Sequence, residues 1–262
     1  MREADRFVAP LLLFVCFYVA TLFTLIWLRF PLRYWIGLAS VAVATTLTLA
    51  IWERGHWPLG LFVAPVTAAR DFAIGVAWGV VLIGSCAALI VLSTDVRHEP
   101  GRGFPWLELF TIFAPAALHE ELLFRGYPFQ KLLQANRTFA YVFIALIFAA
   151  LHAGNTAVTF LGLTNVFLGG ILLGLAYERY RRLWFPIGLH LSWNLMSGPI
   201  LGHEVSGYTG EATVFVERGS GAWWMTGGNF GIEGSAWMTV VEIVAIVWLM
   251  RMNAEGRMQK AE

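Results

Sequence analysis

Long apolar runs constrain the fold of this chain more than any other feature of its sequence. A helix needs about 20 residues to cross a bilayer. Eight runs approach or reach that length, at 7–28, 35–52, 72–93, 104–121, 139–153, 160–178, 184–201 and 235–251. Charged residues make up only 13% of the chain, against about 25% in a typical soluble domain. We therefore predict an all-α integral membrane protein, a bundle of about eight transmembrane helices.

The distribution of basic residues predicts how this bundle is oriented. Cytoplasmic loops of membrane proteins are enriched in Lys and Arg. If the N-terminus is cytoplasmic, an even number of spans places most of the 18 Lys and Arg residues on that side. We expect both termini to be cytoplasmic. Residues 1–262 are predicted to form a single polytopic membrane domain that lies in the lipid bilayer. The net charge of +1 gives no indication of nucleic-acid binding.

The stretch PAALHEELLFRGYPF, residues 115–129, places several ionisable side chains in an apolar run. Such groups are expensive in a membrane and indicate a functional site by default. The zinc-protease motif H-E-x-x-H does not fit, because position 123 is Leu. Glu121 and Arg125 share one helical face and are expected to pair, whereas Glu120 points elsewhere and is a candidate general base. The alternative is a charged turn with a surface ion pair at the membrane edge.

Polar side chains also occur in three later apolar runs. His152 lies in the run 139–153, and His190 and Asn194 lie one turn apart on one face of the run 184–201. A lone membrane histidine is more often a packing residue. If these groups converge with the acidic pair, they supply a base, an orienting imidazole and oxyanion donors. Asn165 is a weaker candidate, because a single Asn often bonds a neighbouring helix.

Three motifs follow one another in the chain: Glu120-Glu121-x-x-x-Arg125, Phe148-x-x-x-His152 and His190-x-x-x-Asn194. This ordered set resembles the CPBP family, which includes the CAAX prenyl proteases and the bacteriocin-processing, Abi-like enzymes. A Gly-rich segment near 227–235 is similar to one found before the last helix in many bacterial members. The resemblance implies an intramembrane endopeptidase of a bacterial cell membrane that cleaves a membrane-associated peptide or protein. Its motif-bearing core would cover about 104–201.

The resemblance also implies a role for each motif residue. Glu120 and His152 would hold and activate the hydrolytic water. His190 and Asn194 would form the oxyanion hole. The supporting residues would be Glu121 and Arg125.

The residues leave open whether the reaction needs a metal. Glu120, His152 and His190 could form a three-ligand zinc site with an open fourth position. Asn is a poor zinc ligand, so Asn194 beside His190 favours the oxyanion role. We expect no cofactor, with zinc as the alternative.

Two other functions are open at this stage. The chain could be a non-enzymatic membrane immunity or scaffold protein of the same family. It could also be a proton-coupled transporter, because intramembrane Glu and His residues build proton relays. The transporter is disfavoured, since the sequence contains no visible inverted repeat or paired broken helices. The three ordered motifs favour the peptidase.

A depth conflict remains between two of the motifs. Counting along straight spans places Glu120 and His152 about two helical turns apart in depth. Either the helix of His152 begins deeper in the membrane, or the segment 126–138 is partly embedded. The composition of that segment predicts a short amphipathic helix at the cytoplasmic interface that dips inward.

Overall fold

The fold is almost entirely helical in this computed structural model, which describes residues 3–30, 32–55 and 59–258. The helices are α1 (Glu3–Trp27), α2 (Arg33–Ile51), α3 (Pro65–Ser93), α4 (Trp106–Glu108), α5 (Ala114–Phe124), α6 (Tyr127–Ala135), α7 (Arg137–His152), α8 (Phe160–Tyr180), α9 (Trp184–Leu195), α10 (Trp223–Thr226) and α11 (Ala236–Met258). Two short antiparallel strands are β1 (Arg97–Pro100) and β2 (Phe215–Arg218). The predicted class, an all-α membrane bundle, is confirmed.

The described residues include five helices that are long and apolar enough to cross a membrane, within α1, α2, α3, α8 and α11. The other three predicted spans are helical but shorter or interrupted. The run 104–121 forms α4, a π-helical turn at Leu109–Phe113 and α5. The run 139–153 lies in α7, which has 16 residues. The run 184–201 forms α9 and a π-helical turn at Met196–Ile200. All three of these runs carry the polar motif residues.

Close packing of α3 against α9 fixes the helix that carries the third motif. A Cβ atom at Gly75 would lie 2.2 Å from the carbonyl oxygen of Phe185, and one at Gly79 would lie 2.1 Å from the Ser192 hydroxyl. Small residues four apart let two helix backbones approach in this way. The two glycines therefore set how far α9 stands from α3.

The connection between the first two motifs is the predicted short helix, α6. Gly126 separates α5 from α6, and a Cβ atom there would lie 2.0 Å from the Leu122 carbonyl oxygen, which no other residue can tolerate. Side chains of α6 such as Phe129 and Lys131 are buried in the bundle. The predicted short helix between the first two motifs is therefore present, and it packs against the rest of the bundle.

A polar network joins the strand pair to the end of α9. His203, just beyond the π-helical turn Met196–Ile200, has its Nδ1 atom 2.7 Å from a carboxylate oxygen of Glu217 on β2. The Nε2 atoms of His203 and His98 on β1 are 3.1 Å apart. Burial, together with the neighbouring His203, lowers the pKa of His98 below its usual value. The network attaches the β1–β2 pair to the helix of the third motif.

Candidate active site

The ion pair predicted in the first motif forms, and it is buried. Nη1 of Arg125 donates to Oε1 of Glu121 at 3.1 Å, and both side chains are 0% exposed. Nη2 of Arg125 donates to the carbonyl oxygen of Gly170 at 3.0 Å, which joins α5 to α8. The guanidinium also lies 4.9 Å from the centre of the Phe148 ring, within cation–π distance. The alternative of a surface ion pair is wrong, because the pair lies inside the bundle.

His190 is held by the same carboxylate. Its Nδ1 atom is 2.8 Å from Oε1 of Glu121. An ionised carboxylate can only accept, so Nδ1 of His190 carries a hydrogen and donates it. The Nε2 atom of His190 then lies 3.7 Å from Oε2 of Glu120. That separation exceeds the length of a direct hydrogen bond.

The orientation of His152 explains the second motif. Its Nδ1 atom is 2.7 Å from the carbonyl oxygen of Phe148, one turn earlier on α7. A carbonyl oxygen only accepts, so Nδ1 is the donor and Nε2 of the neutral ring is left as an acceptor. The Phe148 ring packs 4.6 Å from the His152 ring and 6.3 Å from the His190 ring, centre to centre. The Phe148 ring thus packs against both imidazoles, and the Phe148 carbonyl oxygen also fixes the orientation of the His152 ring.

All four residues predicted to be catalytic line one cavity of about 580 Å³: Glu120 from α5, His152 from α7, and His190 and Asn194 from α9. Ligand pockets in proteins commonly have volumes of about 300–1,000 Å³. Oε2 of Glu120 is buried and has no hydrogen-bond partner among the described residues. The depth offset counted from straight spans does not keep Glu120 and His152 apart, because α6 is packed inside the bundle. The arrangement can hold a water molecule beside a carboxylate and present hydrogen-bond donors to a carbonyl oxygen.

Helix irregularities flank the site on both sides. The π-helical turn Leu109–Phe113 directly precedes α5, and the turn Met196–Ile200 begins two residues after Asn194. Such turns replace the regular ladder of helical hydrogen bonds and occur frequently at functional sites. They mark the two helices that carry the first and third motifs.

A zinc site would need at least three donor side chains arranged around one point. Within residues 3–30, 32–55 and 59–258, no group of three His, Cys, Asp or Glu side chains is arranged to hold a metal ion. We therefore derive no step through a metal.

Residues 102–196 match the family model described as type II CAAX prenyl endopeptidase Rce1-like. This confirms the resemblance to the CPBP family. The matched segment contains all three motifs and overlaps the predicted core 104–201. It supports a CAAX-type intramembrane protease, with peptidase activity as its general function. No curated protein matches the chain significantly.

Two further acids line the cavity outside the segment that matches the CAAX protease model. They are Glu233, on the 3₁₀ turn Ile232–Gly234, and Glu242 on α11. Sequence reasoning passed over both. Glu242 interrupts the apolar run 235–251, and an acid in a membrane span is by itself a signal of function.

Asn165, the weaker candidate from the sequence, links α8 to the segment that contains Glu233 and the start of α11. Its Nδ2 atom donates to the carbonyl oxygens of Glu233 at 2.7 Å and Ser235 at 2.8 Å. Its Oδ1 atom accepts from the Thr239 hydroxyl at 2.6 Å. These bonds fasten α8 to the start of α11, so Asn165 holds this wall of the cavity in place.

Proposed function

We propose that this protein is an intramembrane endopeptidase of the CAAX type, which hydrolyses a peptide bond of a membrane-associated peptide or protein. The observation that carries the proposal is the convergence of Glu120, His152, His190 and Asn194 on one cavity. Three separate helices supply these groups, and they are the parts that acyl transfer to water requires. The match of the motif-bearing segment to the CAAX endopeptidase model supports the same reaction class.

The first step is the attack of a water molecule on the scissile carbonyl carbon. Glu120 accepts one proton of this water, and Nε2 of His152 accepts a hydrogen bond from the other hydrogen. The geometry supports these roles, because Oε2 of Glu120 has no partner among the described residues and Nδ1 of His152 is already committed to Phe148. General-base assistance of this kind contributes about 10²–10⁴-fold to a rate.

The second step is the stabilisation and breakdown of the tetrahedral intermediate. The side-chain amide of Asn194 donates to the oxyanion, and Nε2 of His190 donates when the ring is an imidazolium. Glu120 then passes its proton to the leaving nitrogen as the carbon–nitrogen bond breaks. The products are a carboxylic acid and an amine, and Glu120 returns to its starting state.

We propose that this reaction proceeds without a metal cofactor. Asn194, a poor metal ligand, lies one turn from His190 on the same helical face, where its amide is suited to donate to an oxyanion. The four groups suffice for water activation and charge stabilisation without a Lewis acid.

We further propose that the protein is a multi-pass membrane protein with both termini in the cytoplasm and with its substrate at the cytoplasmic leaflet. Three ion pairs support the grouping of these segments on one side of the membrane, since each joins two residues that the predicted topology places on the same side. They are Lys131–Glu53 at 2.6 Å, Arg137–Glu178 at 2.7 Å and Arg182–Asp71. The bonds to Asp71 raise the pKa of Arg182 above its usual value, so this guanidinium stays charged.

Comparative proteomics of membrane fractions tests the proposed function. Cells would express the wild type, Glu120→Gln or, as a matched control, Glu255→Gln, which changes an exposed carboxylate on α11. We expect uncleaved precursors to accumulate with Glu120→Gln alone. Identical membrane proteomes for the wild type and Glu120→Gln would contradict a peptidase and favour a non-enzymatic membrane protein.

A further inference from the structure

The cavity has a second polar region that the proposed hydrolysis does not use. We call Glu233 and Glu242 the acidic subsite. Both side chains are almost completely removed from bulk solvent, with 8% of Glu233 and 1% of Glu242 exposed, and both line the cavity. Two acids placed together at membrane depth are costly unless something compensates for them.

Among the described residues, Glu233 has hydrogen-bond donors but no cationic partner. Nε1 of Trp193 donates to its Oε1 atom at 2.8 Å, and the Ser206 hydroxyl donates to its Oε2 atom. Both donors are neutral, so they fix the orientation of the carboxylate without neutralising it. The side chain is thereby held in one position at the wall of the cavity.

Glu242 differs from Glu233 in the hydrogen bonding of one carboxylate oxygen. Its Oε2 atom is buried and has no hydrogen-bond partner among the described residues. A Cβ atom at Gly169 would lie 3.2 Å from its Oε1 atom, so the glycine on α8 leaves space in which the carboxylate reaches the cavity. A buried polar atom without a partner costs about 1–3 kcal/mol. Such an atom in a cavity wall indicates a ligand group that completes it.

The charges around the cavity indicate which kind of group that is. Among the described residues that line the cavity, the acids are Glu120, Glu233 and Glu242, and none of the lining residues is Lys or Arg. The guanidinium of Arg125 is committed to Glu121 and to the carbonyl oxygen of Gly170. A positively charged ligand group therefore complements the acidic subsite.

We propose that the acidic subsite binds the side chain of a Lys or Arg residue of the substrate. The inference rests on the proposed function in taking the cavity as the place where the peptide binds. Trp193, which holds Glu233, directly precedes Asn194 on α9. The subsite is thus tied to the oxyanion donor, and the basic residue would lie near the scissile bond and select the cleavage site.

Binding to a protein that cannot hydrolyse its ligand tests this subsite directly. The probes are fluorescent, N-acetylated lipopeptides with one Lys placed at successive positions, each paired with a copy that has norleucine there. The proteins are Glu120→Gln, the double variant with Glu242→Gln, and the control double variant with Glu255→Gln, all in lipid nanodiscs. N-acetylation leaves the lysine as the only amine.

We expect at least one Lys peptide to bind the control more tightly than its norleucine copy does. Glu242→Gln should weaken that Lys peptide about tenfold, the size of effect expected when a charge-assisted hydrogen bond is lost. The norleucine peptide should be unaffected. The proposal is overturned if no position of Lys improves binding, or if Glu242→Gln weakens both peptides equally.

Two controls keep this result separate from folding and from catalysis. In the variant Glu233→Gln the amide oxygen can still accept from Trp193, and the amide nitrogen can donate to the Ser206 hydroxyl. This variant should also reduce the preference for Lys, while size-exclusion profiles and thermal unfolding report on folding. Cleavage of the same peptides by the wild type is measured in parallel. A preference for Lys peptides without cleavage would support the acidic subsite and contradict the proposed peptidase. Cleavage without a preference for Lys would support the peptidase and contradict the acidic subsite.

Discussion

Nδ1 of His190 and Oε1 of Glu121 are 2.8 Å apart inside the bundle. The same oxygen accepts from Nη1 of Arg125 at 3.1 Å. One carboxylate atom therefore joins the first motif to the third across α5 and α9. Glu121 is a positioning residue in this account, and Glu120, its neighbour in sequence, is left to face the cavity.

Replacing Glu121 with Gln should destabilise the protein strongly. The change leaves the fully buried Arg125 without a counter-charge, and breaking a buried ion pair in this way costs about 3–5 kcal/mol. Denaturant unfolding in detergent measures the effect. The matched control is Glu120→Gln, whose carboxylate has no basic partner closer than His190 at 3.7 Å and should lose far less stability. Equal stabilities of the two variants would contradict the assigned roles.

Asn194→Asp should impair the chemical step more than substrate binding. The substitution keeps the shape of the side chain but replaces the amide donor with an acceptor. Loss of one oxyanion donor reduces kcat by about 10²–10³-fold, with KM little changed because the contact strengthens only in the transition state. Steady-state kinetics on a cleaved peptide provide the measurement. A raised KM with an unchanged kcat would assign Asn194 to binding instead.

Gly79→Ala should reduce activity although the residue itself does not line the cavity. Its new Cβ atom would lie 2.1 Å from the Ser192 hydroxyl and 2.8 Å from the Leu189 carbonyl oxygen, so α9 must move and carry the third motif with it. Overpacking of this kind costs about 1–3 kcal/mol. Gly84→Ala on the same helix is the control, because a Cβ atom there meets nothing within 4 Å. Equal activity in the two variants would show that the α3–α9 spacing does not matter.

Removal of metal ions should leave activity intact. In the proposed mechanism Glu120 takes the proton from water without a metal ion, so chelators have no target in the reaction. Elemental analysis of the purified protein and cleavage assays after dialysis against a chelator provide the measurement. Stoichiometric zinc that leaves together with activity, and restores it when added back, would overturn this part of the account.

The polar residues of the site could be predicted from the sequence more completely than the lengths and bounds of the helices that carry them. Helical periodicity alone separates Glu120 from the Glu121–Arg125 pair, since neighbouring residues point about 100° apart. The role of His152 came only from the family resemblance, because its bond to the Phe148 carbonyl is a property of the folded helix.

Tertiary packing explains what the sequence left out. Counting straight spans could not anticipate the π-helical turns beside α5 and α9 or the burial of α6, because these depend on contacts between distant parts of the chain. The close contact at Gly75 and Gly79 depends on α9, which lies far along the chain. Glu242 was visible in the sequence, but only the cavity shows that it shares a site with Glu120.

The central claim is that Glu120 activates water for peptide hydrolysis. The most direct test incubates the purified protein in nanodiscs with a cleaved peptide in water labelled with heavy oxygen, and analyses the new carboxyl terminus by mass spectrometry. We predict that the wild type and Glu255→Gln incorporate one labelled oxygen atom per cleavage, and that Glu120→Gln, although folded, forms no labelled product. Labelled product from Glu120→Gln at the wild-type rate would contradict the account.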